Sequence, residues 1–241
     1  INEIKKLKNL EIKTRTSVAA YHGYNFLLAR ESLTDHLPIE QRKSKTRHKL
    51  LKIRAKKVIC ATGSIERPLI FDNNDRPGIF LSSAIKKYAD LFGVACGEKN
   101  IFLTNNDSAY ETAISLIQKG INIEAIIDNR EEVDSKLIYE VEKNNIKIYK
   151  GFTVVNTSGH KRINKLSIMK LSKDGQKVIG SKINLSCDCL GISGGWTPAV
   201  HLFTQSGGKL KFREEDQVFI PNTYPSDQIS IGSCNGDLFL E

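Results

Sequence analysis

Three apolar runs in this sequence end in small residues. Val58-Ile59-Cys60 leads into Ala61-Thr62-Gly63, the run ending at Ile192 leads into Ser193-Gly194-Gly195, and Ile229-Ser230-Ile231 leads into Gly232, with Asn235 and Gly236 just behind it. Where a strand ends, such residues let backbone approach a ligand more closely than a side chain would permit, and a dinucleotide pyrophosphate is held in this way. A fourth turn, Thr104 to Ala109, lies between a strand pattern and a helix pattern, where G-x-G-x-x-G would put glycine at 104, 106 and 109. Thr104, Asn106 and Ala109 stand there instead. Asparagine can adopt the positive φ of a glycine, but it brings a side chain to the place where backbone should meet phosphate, and Asp107 adds negative charge. Asp128 closes the following strand pattern, where a carboxylate could hold a ribose hydroxyl or could serve as ordinary Asp-Asn turn chemistry. The candidate dinucleotide-binding residues are therefore Thr62, Gly63, Thr104, Asn106, Asp128, Gly194, Gly232 and Asn235.

These positions need strands and helices to hold them. Alternation and β-branched content predict strands near 10–18, 24–31, 49–54 and 57–61, forming a small antiparallel layer that feeds a buried strand. Residues 82–93 have helical spacing at Ile85, Tyr88, Ala89 and Phe92, with Gly93 as a stop signal. Next come KNIFLTNND, SAYETAISLIQKG, INIEAIIDN, EVDSKLIYEVEKNN and IKIYKG, a βαβαβ run with short joints. That order suits a parallel sheet covered by helices. INKLSIMKLS and QKVIGSKINLS then alternate around Lys173-Asp174-Gly175, a hairpin signal. CDCLGISGGW reads as a buried strand, and Ile229 to Ile231 as a last short one.

Composition bounds the reading. The chain has 241 residues, is 40% hydrophobic and 26% charged, and carries a formal net charge of +9, the profile of a globular protein. No apolar run approaches the roughly 18 to 20 residues of a spanning helix, and INEIKKLKNL lacks a signal core. Five scattered cysteines (Cys60, Cys96, Cys187, Cys189, Cys234) do not make a disulfide framework. The expectation is a cytoplasmic protein with no membrane partner. Residues 42–57, RKSKTRHKLLKIRAKK, could neutralise phosphates. Yet Leu51, Ile53 and Ala55 alternate with Lys52, Arg54 and Lys56, as on a strand with a solvated face, so no nucleic-acid partner is expected. The sequence starts at Ile1 and runs almost directly into strand-like material, which reads as a piece of a longer protein.

The small-residue strand ends on either side of a βαβ unit resemble the two-dinucleotide-domain flavoproteins, in which an FAD-type domain is interrupted by an NAD-type domain and then resumes. The resemblance implies an α/β fold: a NAD-type βαβαβ Rossmann-like domain with a parallel sheet at 67–190, inserted in the remnant of an FAD-type domain with an antiparallel β layer at 1–66 and 191–241. Several blocks sharpen it: Thr62-Gly63-Ser64-Ile65-Glu66-Arg67-Pro68-Leu69, Asn73-Asn74-Asp75-Arg76-Pro77-Gly78, Thr104-Asn105-Asn106-Asp107, and Ser193-Gly194-Gly195-Trp196-Thr197-Pro198 with His201-Leu202-Phe203. Together they resemble the α subunits of heterotetrameric sarcosine oxidase. Related α subunits of amine, opine, proline and cyanide-forming dehydrogenases share the Ala-Thr-Gly and Glu-Arg-Pro core. The resemblance implies NAD in the intact α subunit, a flavin-bearing β subunit with small subunits as partners, FAD and FMN on or near that partner, and tetrahydrofolate at a domain beyond Glu241. Sarcosine would be oxidised on the partner's flavin, giving hydrogen peroxide, and this piece would not catalyse alone. NAD could use the first domain, through Thr62, Gly63, Gly232 and Asn235, or the turn of the second.

Other polar residues read mainly as structure. Alternation would put Cys187 and Cys189 on one strand face as buried thiols, without the second pair a metal site needs. His160 and His201 stand alone, Trp196 suits a domain joint, and Arg67 and Arg76 lie on the crossover, able to hold a phosphate or a carboxylate of the same chain. No nucleophile-base arrangement or carboxylate pair is legible, so no catalytic and no metal-binding residue is assigned.

Overall fold

A computed structural model describes residues 3, 6–133 and 136–238. The chain divides into two compact units, residues 1–65 with 197–241, and residues 66–196. The first unit opens with β1 (Thr16–His22), β2 (Phe26–Ser32), the single turn α1 (Ile39–Arg42) and β3 (His48–Arg54), and the three strands form an antiparallel sheet in that order. Tyr21, Leu27 and Ala29 are buried beneath it. The strand expected from residue 10 starts only at Thr16. Leu10 and Ile12 are 45% and 50% exposed, since alternation makes no strand without a partner to hydrogen-bond. β4 (Val58–Cys60) and β5 (Ser64–Glu66) follow.

The second unit runs β6 (Ile79–Leu81), α2 (Ser82–Phe92), β7 (Asn100–Thr104), α3 (Ser108–Ile117), β8 (Ile123–Asp128), α4 (Lys136–Lys143), β9 (Lys147–Lys150), β10 (Phe152–Ser158), β11 (Lys165–Leu171), β12 (Val178–Ser186) and β13 (Cys189–Ser193). The expected βαβαβ core is present. Of the helix expected over 132–145, Asp134 and Ser135 lie outside the described residues. Buried Glu66 fixes the start of α2, accepting hydrogen bonds from the Ser82 hydroxyl (2.6 Å) and the Ser83 amide (2.9 Å). Gly93 ends it at φ 63°, its amide bonded to the Ala89 carbonyl, the left-handed cap that glycine adopts at least cost.

The parallel sheet has the order β6-β13-β7-β8-β9. Alternate side chains leave its two faces. Phe102, Ile126 and Cys189 pack toward Tyr110, Ala113, Leu116 and Val141 of α3 and α4. Ile101, Leu103, Ala125, Ile127, Leu190 and Ile192 pack on the other side against Val154, Leu166 and Ile168 of the antiparallel sheet β10-β11-β12. Cys187 and Cys189 were expected on one face, but they belong to these two different clusters. Cys187 precedes β13, its amide bonded to the Asn164 carbonyl, so strand alternation does not govern it.

β14 (Trp196–Pro198) pairs with β5 where the chain crosses, and α5 (His201–Gln205), β15 (Lys209–Arg213), β16 (Val218–Thr223) and β17 (Gln228–Ser230) complete the first unit. β17 lies parallel to β4, and β15 and β16 form an antiparallel hairpin on which Phe212 and Phe219 face each other at 5.1 Å. A return to the first unit at residue 191 would cut through β13, whereas the units part between Trp196 and Thr197. No helix among the described residues is long and apolar enough to cross a membrane.

Candidate functional site

In the second unit, the turn from β7 into α3 stands where a parallel α/β sheet presents ligands to backbone amides. Here the amides of Asn105, Asn106 and Ser108 are taken by residues of the same unit. Thr104, fully buried, accepts a hydrogen bond on Oγ1 from the Asn106 amide (3.1 Å), and the Asn105 amide donates to the Ser193 carbonyl (3.3 Å). The Asn106 side chain spans from β7 to the end of β13. Its Nδ2 donates to the Ser193 carbonyl (3.1 Å) and Oγ (3.2 Å), while its Oδ1 accepts from the amide (3.1 Å) and hydroxyl of Ser108. Trp196 Nε1 donates to the same Ser108 hydroxyl at 3.3 Å. Thr104, Asn106, Ser108, Ser193 and Trp196 thus make a polar plug where glycines would leave a cradle.

Asp128, at the end of β8, is fully buried. Its Oδ1 accepts from the Arg130 amide (2.9 Å) and Nε (3.1 Å), and its Oδ2 from the Tyr110 hydroxyl (2.9 Å) and Arg130 Nη2 (2.8 Å). Arg130 also reaches Asp107 at 2.8 Å. Burial works against the Arg130 charge, but hydrogen bonds and attraction from Asp128 and Asp107 outweigh it and raise its pKa. Burial, then the Asp128 charge, pushes the Tyr110 hydroxyl up as well. The carboxylate is satisfied within the chain and offers a ribose no open side. Neither Tyr110 nor Arg130 stood out in the sequence. Arg130, two residues beyond Asp128, was the available signal.

In the first unit, Thr62, Gly63, Gly232 and Asn235 gather at the C-terminal end of the parallel pair β4 and β17. The Thr62 hydroxyl donates to the Ala199 carbonyl (2.7 Å), and the Ala199 amide donates to the Gly63 carbonyl (2.9 Å). Gly63 and Gly232 have φ of 75° and 64°, which side chains adopt only with strain, and Ser233 Oγ lies 4.0 Å from where a Cβ on Gly63 would stand. A 3-10 turn over Gly232–Asn235 is pinned by Cys234, whose thiol donates to the Cys60 carbonyl (3.1 Å), and Asn235 Oδ1 accepts from the Tyr224 hydroxyl (2.6 Å). Thr62 and Gly232 are exposed. Open backbone at these strand ends suits a dinucleotide, in contrast to the filled turn of the second unit.

Gly194 lies apart from both groups. A Cβ there would meet the carbonyl oxygens of Arg67 and Pro68, each at 2.9 Å, and the Gly194 amide donates to the Arg67 carbonyl (2.7 Å). Its glycine serves chain packing. Arg76 donates from Nε to Thr157 Oγ1 and from Nη1 to the Gly159 carbonyl, tying the crossover loop to the end of β10. Burial pushes the Cys187 and Cys189 thiols up to about 12. His160 and His201 are exposed, and among the described residues no three His, Cys, Asp or Glu side chains are grouped to hold a metal ion.

No protein-family model matches the chain. It is 32% identical over 222 residues to the sarcosine oxidase subunit alpha of Corynebacterium sp. (strain U-96), covering 92% of this chain and 23% of that one. The sarcosine oxidase subunit alpha of Rhizobium meliloti (strain 1021) is 28% identical over 226 residues, 91% of this chain and 21% of that one. The chain therefore spans less than a quarter of the length of these relatives. Among solved structures, the L-proline dehydrogenase of P. horikoshii superposes with a TM-score of 0.60 at 22% identity, over 91% of this chain and 36% of that one. The thioredoxin reductase of T. acidophilum gives 0.62 at 16% identity, over 92% and 65%. With the fold of these oxidoreductases and 28 to 32% identity over nearly all of its own length, the chain matches an internal stretch of sarcosine oxidase α subunits.

Proposed function

We propose that this chain is the dinucleotide-domain core of the α subunit of a sarcosine oxidase-like complex. The complex oxidises sarcosine to glycine, releases hydrogen peroxide and passes the one-carbon unit to tetrahydrofolate at a domain outside residues 1–241. The observation that carries the reading is the match to sarcosine oxidase α subunits through both units of the fold. Residues 1–65 and 197–241 belong to an FAD-type first domain and 66–196 to the inserted NAD-type domain. NAD binds the first domain, where Thr62, Gly63, Gly232 and Asn235 line it, while Thr104, Asn106, Asp128 and Gly194 hold the second unit together. FAD and FMN sit on or near a flavin-bearing β subunit, small subunits complete the heterotetramer, and the assembly is cytoplasmic. This chain positions and docks; the oxidation takes place on the partner.

The test is to purify the subunit that carries this chain with its native partners and follow hydrogen peroxide release. Sarcosine-dependent release exceeding that with proline or an opine is expected. Turnover of proline or an opine in preference to sarcosine would overturn the substrate assignment.

A further inference from the structure

β3 is an outer strand. It pairs with β2 from His48 to Arg54, and among the described residues no strand pairs with its other side. Outer strands present unpaired N–H and C=O groups, and are prone to pair with another chain. The side chains along this one are unusual in sign. No Asp or Glu occurs from residue 42 to 57, and Lys49, Lys52, Arg54, Lys56 and Lys57 are all exposed. None of these has an ion-pair partner among the described residues. The acidic residues near β3 stand at its N-terminal end: Glu31 is in register with Lys49, Glu11 lies close enough for its charge to feel that of Lys49, and Asp35 is bonded to His48 and Arg47, so Lys52, Arg54, Lys56 and Lys57 are paired with no carboxylate among the described residues. Between the cations two apolar side chains face water, Leu50 at 62% and Ile53 at 36% exposure.

We propose that the free edge of β3 docks an acidic polypeptide strand, which joins the sheet as a fourth strand. Its backbone would satisfy the open edge, its carboxylates would stand beside Lys49, Lys52 and Arg54, and its apolar residues would cover Leu50 and Ile53, the cross-strand pairs that stabilise a sheet. A second copy of this chain is excluded at the same edge, because like charges would face each other. Nucleic acid fits less well. Single strands stack on open aromatic rings along their path, but the Phe26 ring on this sheet is covered by the Arg54 guanidinium, 5.6 Å from its centroid, and the exposed Tyr24 ring lies in the β1–β2 turn rather than along β3. This inference is independent of the nucleotide and substrate assignments above.

Amide hydrogen exchange on this chain, at low salt, tests it with three probes: a short peptide alternating Glu and Val, its Lys and Val counterpart, and single-stranded oligothymidine. The Glu peptide should slow exchange of the outward amides of β3 by about tenfold, and the Lys peptide should not. A Lys52→Glu/Arg54→Glu variant should reverse that preference with an unchanged melting temperature. If this variant does not fold, Lys49→Glu should weaken Glu-peptide protection in the same way. No β3 protection by the Glu peptide, equal protection by both peptides, or a response to oligothymidine alone would overturn the proposal.

Discussion

Asp128 has the surroundings that most constrain the second unit at the scale of single residues. A carboxylate with no exposed surface is tolerable only because Arg130 and Tyr110 supply four hydrogen bonds to its two oxygens. Removing the cation by Arg130→Met should cost about 3 to 5 kcal/mol, since it strands a buried charge. Tyr110→Phe should cost less, about 1 to 3 kcal/mol, because one acceptor site is left open. Denaturant unfolding of the two variants checks the order, and Tyr110→Phe as the more damaging would contradict this account. The thiols of Cys187 and Cys189 give a pH-linked case. Burial raises both to about 12, above the roughly 8.5 of a free thiol. The neutral form is favoured in the folded state, so this contribution is complete below about pH 8.5 and is lost as pH climbs toward 12. At pH 8 iodoacetamide should label the half-buried Cys96 and reach Cys187 and Cys189 only after unfolding, which mass spectrometry reads directly. The strand-end position of Asp128 was legible in the sequence, but its role was not, because a sequence does not show which oxygens are already taken.

At the scale of elements, the joint between β13 and β14 depends on a side chain that is missing. Gly194 lies against two backbone carbonyls, and backbone cannot swing aside as a flexible side chain can. Gly194→Ala should therefore lower the melting temperature more than Gly93→Ala. At Gly93 a Cβ meets nothing within 4 Å, and the cost is confined to a φ of 63°, about 1 kcal/mol or roughly 2 to 4 °C for a chain of this size. Equal shifts would contradict the close approach. The period of 3.6 in α2 and α3 and the short joints between β7 and β9 made the βαβαβ run readable beforehand. β13 was readable as a buried strand but not as the neighbour of β6 and β7, since that pairing joins segments far apart in sequence. β10 went unrecognised because Phe152-Thr153-Val154-Val155-Asn156 follows β9 after a single glycine, without a polar break. The β15–β16 hairpin was hidden by charge, Lys209, Lys211 and Arg213 alternating with Leu210 and Phe212 on a short exposed strand.

For the molecule as a whole, the claim is a division of labour between the two units. One keeps open glycine backbone at the ends of β4 and β17; the other has the strand-to-helix turn of a nucleotide site, filled by Asn106 and its partners. The small residues at 61–63, 193–195 and 232–236 directed attention to the ends of β4, β13 and β17, while the filling of the turn emerged only from its hydrogen bonds. The most direct test is a thermal-shift titration of this chain with NAD, alongside FAD and ADP-ribose. A ligand that binds only the folded state must raise the melting temperature. The account predicts a saturable rise with NAD that is lost in Gly232→Val, which puts a side chain on the open backbone of the first unit, and kept in Asn106→Asp, because the turn of the second unit is filled by its own side chains. A saturable rise with NAD that Asn106→Asp abolishes would show that the turn opens to a nucleotide, and would contradict the account.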